Sequence, residues 1–174
     1  SACGLLNLAA AYHKDGNTLI VDGGDTLQGT PFSQYYLDHV AQWPFHPIAM
    51  AMNAAGYDYI TLGNHDFNYG YTPLRDYLRA LKARCLCANV QDLRGELPLE
   101  ATAIHTLANG LRVGLVGIVT DYVNVWEQPA NLTELKITDA FTAAKEALQV
   151  LRPACDICIC IYHGGFEKDL ETGR

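Results

Sequence analysis

The chain has 174 residues, of which 49% are hydrophobic and 18% charged, a composition that can bury the core of one compact domain. Twelve lysines and arginines against 19 aspartates and glutamates give a net charge of −7, which excludes a protein that coats nucleic acid. No apolar run reaches the roughly 20 residues of a membrane helix. Because the net charge is negative, a phosphorylated substrate would need a local positive charge at its binding site, most simply a metal.

Hydrophobic periodicity and the positions of glycine and proline predict strands that alternate with helices. In chain order the predicted elements are a helix at 5–13, a strand at 17–21, a helix at 48–55, a strand at 57–62, a helix from Pro73, a strand at 85–90, a hairpin of 101–107 and 113–119, a helix at 138–151 and a strand at 155–162. The segment 120–137 is predicted to be irregular. This order indicates one α/β domain over 1–174, with a mostly parallel sheet and an antiparallel hairpin.

The cysteines allow two interpretations. Cys155 and Cys158 form a C-x-x-C, a spacing found in zinc and redox sites. Cys158 and Cys160 also alternate with isoleucines in a continuous apolar run, which is typical of a buried parallel strand. The second interpretation is favoured, so we expect Cys85, Cys87, Cys158 and Cys160 to be buried and reduced.

Three predicted strands end in polar turns that contain glycine. The turns carry Asp25, Asn64 with His65, and His163. Ligands bind outside the carboxyl ends of strands in open α/β sheets, so we expect the strand ends of one sheet to bring these four side chains together. The alternatives are structural, because Asp25 could cap a turn and Asn64 could occupy a left-handed turn position.

Asp, Asn and His together provide oxygen and nitrogen ligands. Such a set suits Mn, Fe, Zn or Co better than Ca or Mg, because imidazole is a borderline donor. Two such cations about 3.5–4 Å apart can clamp a phosphoryl group and activate a water. They would also supply the positive charge that the acidic surface lacks.

Three strings carry a resemblance: GDTLQGTP at 24–31, GNHDFNYG at 63–70 and YHGG at 162–165. In this order they resemble the calcineurin-like metallophosphoesterases, and within them the 5′-nucleotidase and 2′,3′-cyclic-nucleotide 2′-phosphodiesterase branch. Ala88-Asn89-Val90 and Val125-Trp126-Glu127 extend the similarity along the chain. The resemblance implies a layered α/β/β/α sandwich and a hydrolase in which metal-activated water attacks a nucleotide phosphoester.

The resemblance also implies roles for single residues. Asp25 would bridge two divalent metals, Asn64 and His163 would be ligands of the second metal, and His65 would contact the scissile phosphate. Some relatives orient the catalytic histidine with an aspartate three residues later, where this chain has Asn68. The orienting partner of His65 is therefore open.

The family motifs D-x-H and G-H-x-H are expected before residue 1 and after residue 174, and the nucleoside-binding C-terminal domain is expected beyond the chain. We therefore expect at most one weakly bound metal here, with the nucleotide as substrate and no polymeric nucleic acid as partner. The alternative is a non-catalytic folded fragment with half a metal site. A Rossmann-like module is a weaker alternative, because no G-x-G-x-x-G opens a helix. Location stays open, since the resemblance suggests export or the cell envelope and the cysteines fit the cytoplasm equally.

Overall fold

The computed structural model describes residues 4–165, which form nine strands and six α-helices. The strands are β1 (Val21–Asp22), β2 (Tyr59–Ile60), β3 (Arg84–Leu86), β4 (Val90–Asp92), β5 (Leu99–Glu100), β6 (Thr102–Thr106), β7 (Arg112–Val119), β8 (Leu135–Ile137) and β9 (Ile157–His163). The helices are α1 (Leu5–Ala9), α2 (Pro31–Asp38), α3 (Pro47–Ala55), α4 (Tyr71–Ala80), α5 (Val123–Trp126) and α6 (Ala140–Leu151). None of these helices is long and apolar enough to cross a bilayer.

The strands form three sheets. The first has the order β1-β2-β3-β5 and is parallel throughout, whereas the second has the order β6-β7-β9. In the second sheet, β6 and β7 form the predicted antiparallel hairpin and β7 pairs with β9 in parallel. An antiparallel pair, β4 and β8, makes up the third. The predicted mixture of parallel strands and a hairpin is confirmed.

The two larger sheets stack face to face between layers of helices. Tyr59 and Leu86 of the first sheet pack against Val113, Leu115 and Ile161 of the second. Neighbouring residues on β7 alternate in direction, so its opposite face packs on α6, while α3 and α4 cover the outer face of the first sheet. The predicted α/β/β/α layering is confirmed.

Gly117 on β7 lets the two sheets approach closely. A Cβ atom at this position would collide with the Leu86 carbonyl of β3. A backbone hydrogen bond also joins the two layers here. The N–H of Ala88, two residues after β3, donates to the Gly117 carbonyl of β7 at 2.8 Å.

The helices whose capping residues or apolar periodicity are clear in the sequence form where predicted. α3 ends at Gly56, which has the left-handed φ of 77° that glycine adopts readily. α4 buries Leu74, Tyr77 and Leu78 on one face, as its periodicity predicts. α6 begins after Asp139, whose side chain accepts a hydrogen bond from the Thr142 N–H.

Several predicted boundaries are wrong. The first helix ends at Ala9, the strands at 17–21 and 57–62 shrink to two residues each, and α2 has no counterpart among the predicted elements. The predicted strand at 85–90 divides into β3 and β4, which lie in different sheets. Buried Asn89 explains this division. Its side-chain amide forms hydrogen bonds with the backbone of Val119, at the end of β7, and of Thr138, directly after β8.

The prediction that four cysteines are buried is also wrong in part. Cys85 and Cys87 are buried as expected, and burial raises the pKa of the Cys87 thiol to about 12. Cys158 is only half-buried and Cys160 is exposed, because β9 is an edge strand of the described sheet. Its apolar run therefore does not signify burial on both faces. Cys85, Cys87, Cys155, Cys158 and Cys160 are all free thiols, and Cys3 lies outside the described residues.

Candidate metal centre

The turn after β1 aims the Asp25 carboxylate. Gly24 and Asp25 both have left-handed backbone conformations, with φ of 94° and 64°. Aspartate is among the few residues other than glycine that adopt this conformation readily. The Asp22 carboxylate braces the turn by accepting hydrogen bonds at 3.0 Å from the Gly24 N–H and the Thr26 hydroxyl. Asp22 therefore has the position of a residue that fixes the loop rather than a ligand.

The turn after β2 lies directly against the first. Gly63 precedes a 3₁₀ helix over Asn64–Phe67. A Cβ atom on Gly63 would overlap the Asp25 carboxylate, and one on Gly24 would overlap the Gly63 nitrogen. Both positions require glycine because the two turns touch through their backbones.

Asp66 ties these turns together. It is 1% exposed, and its two oxygens accept backbone hydrogen bonds from Gly63, Asp25, Thr26 and Leu27 at 2.8–3.0 Å. Burial raises the pKa of this carboxyl, against the opposing effect of its N–H donors. Asp66 contacts the turns rather than the donor atoms, so it acts on the geometry of the site.

The structure brings Asp25, Asn64 and His163 together. His163 Nε2 lies 3.1 Å from Asn64 Oδ1 and 3.2 Å from Asp25 Oδ2. His163 Nδ1 lies 2.8 Å from the Gly23 carbonyl, which can only accept a hydrogen bond, so Nδ1 carries the proton. In the neutral ring, Nε2 therefore points a lone pair at two oxygen acceptors. That arrangement fits a cation at their centre, and metal-binding histidines are commonly held by such a carbonyl.

The three donors come from two sheets. Asp25 and Asn64 follow β1 and β2, whereas His163 ends β9 of the stacked sheet. The prediction that one sheet carries all three is wrong, and convergence follows instead from stacking the two sheets with these strand ends at one edge. Within residues 4–165, histidine, cysteine, aspartate and glutamate alone form no three-membered cluster suited to a metal. The third donor here is the Asn64 amide.

The cluster is open to solvent. The side chains of His163 and Asp25 are 22% and 31% exposed. His163 borders a concavity of about 540 Å³, whose lining also includes Gly23, Asn64, Thr120, Trp126 and Tyr162. A cation and a small substrate can both reach this edge.

His65 lies beside the cluster but is held differently. Its backbone N–H donates to Asp25 Oδ1 at 2.9 Å, and its ring Nδ1 lies 2.7 Å from Asn68 Oδ1. Asn68 Nδ2 in turn donates to Glu127 Oε2 at 2.6 Å. The sequence leaves the partner of His65 open and indicates no role for Glu127, because Asn68 and Glu127 are 59 positions apart.

Comparisons with known proteins identify the family of the chain. A family model described as calcineurin-like phosphoesterase matches residues 4–169. The trifunctional nucleotide phosphoesterase YfkN of Bacillus subtilis is 31% identical over 173 residues, which cover 91% of this chain and 12% of that protein. A 2′,3′-cyclic-nucleotide 2′-phosphodiesterase/3′-nucleotidase of Salmonella typhimurium is 30% identical over 172 residues, or 92% of this chain and 26% of that protein.

A solved structure shares the fold as well. The calcineurin-like phosphoesterase YfkN from Bacillus subtilis superimposes with a TM-score of 0.74 at 31% identity, over 90% of this chain and 51% of that one. The chain thus spans 12% and 26% of the length of the two curated relatives. From the family model, the matching fold and the strand-end cluster together, the chain belongs to the calcineurin-like phosphoesterase family.

Proposed function

We propose that this domain hydrolyses phosphoesters of nucleotides, of the 5′-nucleotidase or 2′,3′-cyclic-nucleotide phosphodiesterase type, with divalent metal ions. The observation that carries the proposal is the convergence of Asp25 Oδ2, Asn64 Oδ1 and His163 Nε2 on one point beside His65. The family match and the names of the two curated relatives support the substrate class.

Asp25, Asn64 and His163 would hold one divalent cation, of the Mn, Zn, Fe or Co class. A bound cation supplies positive charge to phosphoryl oxygens and lowers the pKa of a coordinated water. We propose that Asp25 also bridges to a second cation, for which the described residues provide no comparable set of further ligands. Hydrolysis at full rate would then depend on ligands outside residues 4–165.

His65 would act on the substrate. Because Asn68 occupies its Nδ1, the ring has Nε2 left for a phosphoryl or leaving-group oxygen. There the imidazole stabilises developing charge or moves a proton to the departing oxygen. The Asp25 carboxylate fixes the backbone of His65 through its Oδ1, so the cation site and the histidine are positioned by one side chain.

The test is an assay of 2′,3′-cyclic AMP and 5′-AMP hydrolysis with and without added Mn²⁺. We expect wild-type activity to require the metal, Asp25→Asn to fall to background, and His65→Ala to lose about 10²–10⁴-fold. Asp38→Asn is the matched control, because Asp38 is exposed at the end of α2 and accepts a hydrogen bond from Gln34 one turn earlier on the same helix. Wild-type rates in Asp25→Asn, or hydrolysis that does not need the metal, would overturn the proposal, and absent hydrolysis throughout would favour the non-catalytic alternative.

A further inference from the structure

We propose that Glu127 is a positioning residue for His65, and that it acts by setting the direction of a hydrogen-bond chain through Asn68. In this hydrogen-bond chain the neutral imidazole is held with its proton on Nδ1, so that Nε2 is the nitrogen that gains and gives up a proton at the site. The catalytic consequence rests on the proposed function, whereas the position of the proton is a property of the fold.

The chain of contacts is continuous. His65 Nδ1 lies 2.7 Å from Asn68 Oδ1, and Asn68 Nδ2 lies 2.6 Å from Glu127 Oε2. The other oxygen, Glu127 Oε1, accepts from Asn131 Nδ2 at 2.9 Å and from the Gln128 N–H at 2.7 Å. Asn131 Nδ2 also donates to the Asn68 carbonyl at 3.0 Å. Both carboxylate oxygens are therefore supplied with donors.

The direction of this chain follows from the chemistry of its members. An ionised carboxylate only accepts hydrogen bonds, whereas an asparagine side chain offers a donor on one side and an acceptor on the other. Asn68 must therefore turn its NH₂ group to Glu127, which leaves its Oδ1 facing His65. An oxygen acceptor there requires a proton on His65 Nδ1. Without Glu127, the Asn68 amide could face the ring with either side.

The backbone around Glu127 is held firmly enough for this task. Glu127 caps the C-terminus of α5, and its N–H donates to the Val123 carbonyl at 2.9 Å. Val123 is fully buried and anchors this short helix in the core. His65, Asn68, Glu127 and Asn131 are each half-buried, so competition from water is reduced. The segment 120–137, which sequence reasoning treats as irregular, thus has a defined contact with the site.

The most direct variant is Glu127→Gln, which preserves size but adds a donor. A glutamine cannot accept from Asn68 and Asn131 at once, so Asn68 is free to rotate and to present its NH₂ group to His65. We expect His65 to shift from the Nδ1–H form towards the Nε2–H form. Long-range ¹H–¹⁵N correlation spectra of the ¹⁵N-histidine-labelled full chain, in alkaline buffer without metal, report this directly. His65→Gln assigns the signal, and Glu146→Gln, an exposed position on α6, is the matched control.

A compensating variant makes the test sharper. In the double variant Asn68→Asp with Glu127→Gln, the glutamine NH₂ can donate to the carboxylate introduced at position 68 while its oxygen accepts from Asn131. The introduced carboxylate then accepts from His65 Nδ1, so the double variant is expected to restore the Nδ1–H form. In the metal-loaded enzyme we expect Glu127→Gln to lower kcat about tenfold with little change in KM, and the double variant to recover most of that loss.

The spectra separate this inference from the proposed function. A proton that stays on Nδ1 in Glu127→Gln overturns the inference, whatever the activity. If Glu127→Gln fails to fold, Glu127→Ala replaces it, and a ring that remains fully Nδ1–H in that variant overturns the inference as well. A shifted proton in a protein with no hydrolytic activity supports the positioning role and contradicts the proposed function instead.

Discussion

Asp66 is the residue on which the shape of the candidate metal centre depends most. It is not among the three converging donors, yet its carboxylate accepts four backbone hydrogen bonds from the turns that carry Asp25 and Asn64. A buried carboxylate of this kind replaces the water that would otherwise satisfy those N–H groups. The turns can therefore touch each other without leaving unpaired donors.

Asp66→Asn is expected to destabilise the fold. The amide nitrogen of asparagine would face backbone N–H groups that need an acceptor, and leaving such buried donors unpaired costs roughly 2–3 kcal/mol. The free energy of unfolding, measured by urea denaturation, should fall by about that amount, while Asp38→Asn on the surface should change it little. A midpoint for Asp66→Asn equal to that of the wild type would contradict the bracing role.

Among single residues, the sequence predicts those site residues whose setting is local. Asp25, Asn64 and His163 stand directly after apolar strands and beside glycines, and that setting predicts a place at a strand end. Glu127 has no such setting. Its contact with Asn68 depends on how the chain returns after β7, and nothing within a few residues of Glu127 indicates that path.

Among the elements, helices are more predictable than sheet membership. The face of α4 follows from a period of 3.6 residues and needs no knowledge of its neighbours. The assignment of β3 and β4 to different sheets depends on Asn89, and the exposure of β9 depends on its position at an edge. Both depend on contacts between distant segments, which the local pattern does not contain.

The N-terminus of α3 has a pH-dependent cap. Buried His46 precedes the helix, and its Nδ1 accepts a hydrogen bond from the Ala49 N–H at 3.3 Å, which requires the neutral ring. Burial lowers the pKa of His46 from 6.5 to about 4. Between these values the unfolded chain binds more protons than the folded one, so this contribution to stability is present above pH 6.5 and is lost as the pH falls towards about 4.

His46→Asn separates this effect from other titrations. Asparagine is a good N-cap that does not titrate, so the variant should retain α3 and lose part of the acid sensitivity. Thermal denaturation across this pH range measures the difference. The same slope of stability with pH in both proteins would show that His46 does not titrate as its burial indicates.

In the whole molecule, the stacking of two sheets creates the candidate site. The strand pattern predicts an α/β domain, and the layered architecture comes from the family resemblance. Neither anticipates the meeting of β1 and β2 with β9 across the sheet interface. That meeting explains how residues as far apart as Asp25 and His163 approach to 3.2 Å.

The proposed function depends on Asp25, Asn64 and His163 binding a divalent cation together. Titration of the protein with Mn²⁺, followed by the electron paramagnetic resonance of the free ion, tests this binding without any assay of activity. We predict saturable binding to the wild type, weakened by more than about tenfold in His163→Ala and unchanged in His13→Ala, since losing a ligand should cost at least as much as losing an outer partner. Equal Mn²⁺ binding by His163→Ala and the wild type would show that these three residues do not form the metal site.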